Sequence, residues 1–145
     1  MMKKIGLVLV VLFVIAQFFG TEKNDAPTRE LEAFITETKP SEEVKNILSS
    51  KCYDCHSNKT EYPWYANVAP VSYWINHHVE EGKEHLNFSN WAKYNTKRKN
   101  HKLDELIEEV EEGKMPLESY EKLHGDLTDT EKELLINWAK KYIGK

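Results

Sequence analysis

Apolar residues recur along most of this chain at helical spacing. Val44, Ile47 and Leu48 stand at i, i+3 and i+4, and Cys52, Cys55 and His56 continue the stripe with the same spacing. Ser41 follows Pro40 and precedes Glu42 and Glu43, which predicts an N-cap with acids in the first turn. Val71, Trp74, Ile75, His78 and Val79 share one face and predict a second helix near residues 71–81, with Gly82 as its stop. Leu103, Leu106, Ile107 and Val110 predict a third, from about Lys102 to Glu112, with Gly113 at its C-cap. Thr128 and Glu131 form a capping box ahead of a last helix, whose stripe is Leu134, Leu135, Trp138, Ala139 and Tyr142. No convincing run alternates with period two and no internal repeat is seen, so the expected fold is all-α.

A different pattern opens the chain. Lys3 and Lys4 precede a run from Ile5 to Gly20 that only Gln17 interrupts. Two cations before an apolar run mark a segment entering the export machinery, with the charges left on the cytoplasmic side. Its sixteen residues fall between a signal-peptide core and a full bilayer span of about 20. Phe18, Phe19, Gly20 and Thr21 make a poor cleavage site, and the lack of a cysteine near residue 20 excludes a lipid anchor there. Residues 1–20 are therefore expected to be an uncleaved anchor helix, ahead of a cleaved signal. Either way the domain is exported: held at the inner membrane with the domain in the periplasm, or free there after cleavage. Residues 21–40 are polar and bracketed by prolines. They read as a linker with a short ordered piece at Leu31 to Ile35, leaving residues 41–145 as one domain.

Charge narrows the partners. The net charge is −4. Without residues 1–20, eighteen basic residues face twenty-four acidic ones, a net of −6. A mildly acidic domain lacks the basic footprint that nucleic acid requires. Only Arg29 and Arg98 offer bidentate chemistry, since every other basic residue is Lys.

Cys52-Tyr53-Asp54-Cys55-His56 is the Cys-x-x-Cys-His pattern of covalent haem attachment. Two thiols that add to vinyl groups on adjacent pyrroles must lie about one helical turn apart. The next imidazole must reach the iron from the same side, and this spacing meets both demands. A redox dithiol lacks a preceding strand. A zinc site would have to be completed by His77, His78 and His85. A disulfide here would close a very small loop and contribute little. The expected cofactor is therefore one haem c, with His56 as the proximal iron ligand.

Met115 is the first candidate for the opposite side of the iron. It stands in Gly113-Lys114-Met115-Pro116, after one helix and before the last, and is the only methionine past the targeting segment. Its plainer reading is a core gap-filler. His78, on the apolar stripe of the second helix, is the alternative ligand. His77 falls off that stripe, and His85, His101 and His124 sit in polar surroundings.

With these residues in view the chain resembles the monohaem cytochrome c fold: a helix running into Cys-x-x-Cys-His, a late Met-Pro, and a C-terminal amphipathic helix with aromatics. More closely, it resembles the small membrane-anchored haem-binding domain family of bacteria. The resemblance spans roughly residues 41–140 and is carried by several stretches. These are Glu43 to Leu48, Tyr62-Pro63-Trp64-Tyr65, Pro70 to Trp74 with His77-His78-Val79, Asn87-Phe88-Ser89, Gly113 to Leu117, and Leu134 to Ala139. It implies haem binding and electron transfer and supplies no partner.

Other residues are assigned by their surroundings. Tyr62, Trp64, Tyr65, Tyr73, Trp74 and Trp91 are candidates to wall a haem or to pack a core. Lys97-Arg98-Lys99 is a solvated face or a propionate partner, and Glu105 to Glu112 is an acidic surface without assigned function. The expectation is a cytochrome c-like helical domain around one haem that carries single electrons between redox partner proteins and is not an enzyme. Two rivals stay open. A peroxidase-like enzyme would leave the distal site open, with His77 or His78 acting on peroxide. A haem-based sensor would let a gas displace a weak distal ligand.

Overall fold

Ser41 starts a helix as its sequence context predicts: its Oγ accepts a hydrogen bond from the Val44 amide at 3.3 Å. In this computed structural model, which describes residues 2–144, that helix is the third of eight. The α-helices are α1 (Met2–Ala16), α2 (Glu32–Thr38), α3 (Glu42–Lys51), α4 (Tyr53–His56), α5 (Val71–His85), α6 (Thr96–Glu111), α7 (Glu118–His124) and α8 (Asp129–Ile143). Two 3₁₀ helices, Trp64–Asn67 and Phe88–Lys93, flank α5. The described residues form no strand, so the architecture is all-α. Met1 and Lys145, the outer limits of the expected targeting segment and haem domain, lie outside the described residues.

Caps explain where the helices begin and end. The Thr128 Oγ1 accepts from the Glu131 amide at 3.2 Å and Glu131 accepts from the Thr128 amide at 2.8 Å, completing the capping box of α8. α6 begins earlier than its apolar stripe, because the Asn95 side chain accepts from the Arg98 amide at 2.9 Å. Its other end closes through Gly113 at φ +67°, where Gly113 donates to Val110 and Lys114 to Glu109. That is the left-handed turn glycine makes readily past a helix end. α5 does not stop at Gly82 but runs on to His85.

The core lies among α2, α3, α6, α8 and the second 3₁₀ helix. Phe34, Leu48, Phe88, Trp91, Leu103 and Leu135 are fully buried in it. Phe34 is its hub, with ring centroids 4.6 Å from Phe88, 5.2 Å from Trp91 and 5.8 Å from Trp138. Phe34 belongs to the segment expected to be a linker. Asn24, Phe34 and Thr38 are all buried, and Asp25 forms a bridge with Lys59, so residues 24–40 are packed into the helical body. The apolar surface that holds the segment is that of Phe34, in the core, with Leu31 and Ile35 packed against it.

α1 stands apart. It buries no residue. Its fifteen residues correspond to roughly 22 Å at 1.5 Å per residue, and no described helix is long and apolar enough to cross a membrane. The expected anchor segment is thus helical, but shorter than a full span.

Candidate functional site

The Cys-x-x-Cys-His segment does not continue α3. Cys52 has φ −124° and ψ −44°, which ends α3 and starts α4 as a separate turn. The turn closes through the Cys52 carbonyl, which accepts from the Cys55 amide at 3.3 Å and the His56 amide at 3.0 Å. Cys52, Cys55 and His56 therefore project from one turn, as their spacing predicts.

The residues before α2 lash this turn down. The Asn24 side-chain amide donates to the Ser57 carbonyl at 2.8 Å, and the Ala26 amide to the Asn58 carbonyl at 3.1 Å. Arg29 pairs with Asp54 at 3.0 Å, both side chains largely buried. Asp54 also accepts from the Glu61 amide at 3.1 Å and from the Tyr120 hydroxyl at 3.0 Å. Burial and the Asp54 carboxylate push the Tyr120 phenol well above its ordinary value, so it stays a donor. From the other side α5 packs on α4. Gly82 faces Cys55 across that contact, which explains why a glycine stands inside a helix.

His56 is oriented by its own hydrogen bond. Its Nδ1 lies 2.9 Å from the carbonyl of Leu86, just past α5. A carbonyl only accepts, so Nδ1 carries the proton and Nε2 keeps its lone pair free. This is the way metal-binding imidazoles are held. Burial lowers the His56 pKa, against the raising effect of the Leu86 and Gly82 backbone, and so favours the neutral ring a metal needs. The two cysteines are free thiols. Burial pushes Cys52 up to about 12 and Cys55 up to about 11, so both hold their protons at neutral pH.

Two adjoining cavities meet at this turn. One, of about 320 Å³, is lined by Cys52, His56, Phe88, Leu106, Met115 and Leu135 among others. The other, of about 240 Å³, is lined by Cys55, His56, His78, Gly82, Met115 and Tyr120 among others. His56 and Met115 face both, and each cysteine faces one. Lys51 and His85 also face both, while Lys102 faces the larger. Met115 is held there by its own amide, which donates to the Glu109 carbonyl at 3.1 Å, the oxygen that also closes α6.

Each residue singled out from sequence now has a place. Cys52, Cys55, His56 and Met115 come together. His78 reaches only the smaller cavity, with its ring against Trp74 at 4.6 Å and Nδ1 3.7 Å from Glu81. His77 pairs with Glu81 at the surface, while exposed His85 lines both cavities. Trp91 is a core residue and Trp64 is exposed, so neither walls the cavities; Phe88 does. Arg98 lies over Tyr94 and Lys99 pairs with Glu37, so both are engaged away from the cavities. Among the described residues no cluster of three His, Cys, Asp or Glu is arranged to hold a metal ion. Sequence reasoning missed Asp54, Tyr120 and the Leu86 carbonyl. The first was visible as the one acid inside the motif, and the other two carry no local pattern.

The residues fit a haem. An apolar cleft offers an imidazole with its metal-facing nitrogen free and a thioether on a closed loop. A thiol stands in each half, with cationic side chains among the lining residues. Residues 11–141 match the model of a family described as a haem-binding domain. No curated protein and no solved structure matches the chain.

Proposed function

The chain belongs to the haem-binding domain family, and on that premise we propose that it is a one-electron carrier holding a single haem c at the periplasmic face of the inner membrane. The observation that carries the reading is the shared lining of the two cavities. His56 and Met115 both face them, and Cys52 and Cys55 divide between them. The cofactor supplies a one-electron couple when bound, and the protein supplies everything that tunes it. Cys52 and Cys55 form the two thioethers. His56 binds iron through Nε2, with its basicity raised by the bond from Nδ1–H to Leu86. Met115, which faces the same cavities as His56, would supply a second ligand and would raise the potential relative to a second imidazole. Phe88, Leu106 and Leu135 exclude water from the cleft. With both iron positions taken by protein there is no place for a substrate, which favours a carrier over an enzyme.

Attachment to the membrane is supported by α1, whose apolar residues are exposed along its length behind Lys3 and Lys4. The test is a visible spectrum of the protein matured with the c-type haem machinery, followed by denaturing electrophoresis with haem staining. Haem that survives denaturation, with the weak far-red band of ferric haem bound by methionine, is the expected result. Covalent haem without that band would replace Met115 by His78 or by an open site, and with it bring in sensing or peroxide chemistry. Loss of haem on denaturation would overturn the thioethers.

A further inference from the structure

We infer that the exposed aromatic face made by Trp64, Tyr73 and Trp74 seats in the headgroup layer of a lipid bilayer, as a collar around the end of α1. The inference rests on the membrane attachment proposed above and adds an orientation to it.

The first observation is how α1 ends. The last four carbonyls of a helix have no i→i+4 partner within it and turn to side chains, to water or to a tightened last turn. Here all four are satisfied by protein. Phe13 accepts from the Gln17 side chain at 2.8 Å. Val14, Ile15 and Ala16 accept from the amides of Gln17, Phe18 and Phe19 at 3.1, 3.0 and 3.3 Å. The Tyr73 hydroxyl, from α5, reaches the carbonyls of Ala16 and Phe19 as well. Three of these are the tight i→i+3 bonds that end many helices, and a helix end in lipid, with no water to turn to, requires closure of this kind.

The second observation is that α1 is joined firmly to the domain. Gln17, the one polar residue in the apolar run, accepts from the Ala69 amide at 3.0 Å through its side-chain oxygen. Its side-chain nitrogen lies 3.2 Å from the Ala69 carbonyl. Ala69 sits just ahead of α5, so the helix and the base of α5 meet at a fixed junction. Whatever medium surrounds α1 also meets the surface beside that junction.

The third is length and composition. The roughly 22 Å of α1 falls short of a hydrocarbon layer of about 30 Å. Such a mismatch draws flanking apolar groups of the protein into the bilayer or thins it. Exposed apolar groups stand in the residues that follow α1 and in those around the start of α5, where Tyr73 touches the end of α1. Phe18 and Phe19 are 83% and 66% exposed, Trp64 is 79% exposed and Trp74 47%. Val71 and Tyr73 are exposed in the same stretch. Trp and Tyr favour the boundary between headgroups and chains, where the ring is buried and the polar edge stays wet. Lys23 bonds Asn67, in the 3₁₀ helix that begins at Trp64, at 2.6 Å and adds a cation to this part of the surface. Scattered single apolar residues need no account, but a group of this size continuous with a bare apolar helix does.

An orientation follows. α5 starts in the collar at Val71 and ends at His85, on the wall of both cavities. It meets the smaller cavity already at His78, about 10 Å of helix beyond Val71, so the cleft opens directly beside the collar.

The test is hydroxyl-radical footprinting of the full-length chain, one chain per lipid nanodisc of phosphatidylglycerol and phosphatidylcholine, read residue by residue by mass spectrometry. Co-flotation with vesicles of the same lipids is scored in parallel. His101, 65% exposed on α6, is the internal reference. Trp64 is intrinsically at least as reactive and more exposed, so in water it should be the faster of the two. Seated in lipid, it is expected to be oxidised on the order of fivefold more slowly than His101, with Trp74 protected alongside it. A chain that floats with the lipid while Trp64 is oxidised as fast as His101 overturns the collar and leaves the attachment standing. A chain that does not float overturns both.

Discussion

Gly82 lies so close to the backbone of Cys55 that a methyl group on its α-carbon would stand 2.8 Å from the Cys55 carbonyl oxygen. The same methyl would be 3.1 Å from Cys55 Cβ. The contact presses α5 onto the turn that carries both thiols and His56.

Gly82→Ala sets two effects against each other. Alanine in a helix interior is favoured over glycine by about 1 kcal/mol. The clash is with backbone, which cannot swing aside as a side chain would, and overpacking of this kind costs about 1–3 kcal/mol. A lower denaturant midpoint is therefore expected, together with a lower yield of covalent haem, because the thiols are displaced. An equal or higher midpoint would show that α4 and α5 do not meet at this distance.

Asp54 gathers three elements onto the same turn: Arg29 ahead of α2, the Glu61 amide, and Tyr120 of α7. Asp54→Asn keeps the shape but removes the charge and one acceptor. The Arg29 guanidinium, itself largely buried, is then left beside a neutral group. A loss of about 1–3 kcal/mol in urea denaturation is expected. Tyr120→Phe, which removes a single arm, should cost less. Equal losses in the two variants would place the energy in the tyrosine rather than in the ion pair.

These two variants mark where sequence reading ends. α3, α6 and α8 were legible because each carries an apolar stripe and a cap at fixed spacing. The Cys-x-x-Cys-His turn was legible because its residues stand at a short, fixed spacing within one turn. Gly82 read as a stop because glycine's meaning depends on what lies across from it, and nothing near it in sequence names Cys55. Residues 21–40 read as a linker because their apolar contribution is a single short turn, Phe34 in the core with Leu31 and Ile35 packed beside it, set in a polar stretch bracketed by prolines. Trp91 illustrates the same limit: whether an aromatic walls a cavity or fills a core is decided by partners such as Phe34 that lie far away in the chain.

His56 gives the haem-free protein a pH dependence of predictable sign. Burial holds its folded pKa below the ordinary 6.5. Between those two values the unfolded chain binds a proton that the folded chain does not, so stability rises with pH across that window. Read in the other direction, stability is lost as the pH falls below about 6.5. The denaturant midpoint of the haem-free chain should be lower at about pH 5 than at about pH 7.5. His56→Gln should reduce that difference. If the substitution leaves the difference unchanged, other groups govern the acid response.

Met115 offers the most direct check on the iron ligands. Its amide is tied to the Glu109 carbonyl and its side chain faces both cavities, so Met115→Ala opens space without loosening the loop. Cys52, Cys55 and His56 lie on another element and are untouched, so covalent haem should be retained. Removing a thioether ligand should lower the potential, because methionine raises it relative to the alternatives available here. The freed position should bind carbon monoxide rapidly in the reduced protein. His78→Ala is the matching control, since His78 faces only the smaller cavity and its ring is engaged by Trp74. It should leave spectrum and potential unchanged. The opposite pattern, a spectrum altered by His78→Ala and indifferent to Met115→Ala, would transfer the distal position to the histidine and return Met115 to the packing role its half-buried side chain would also allow.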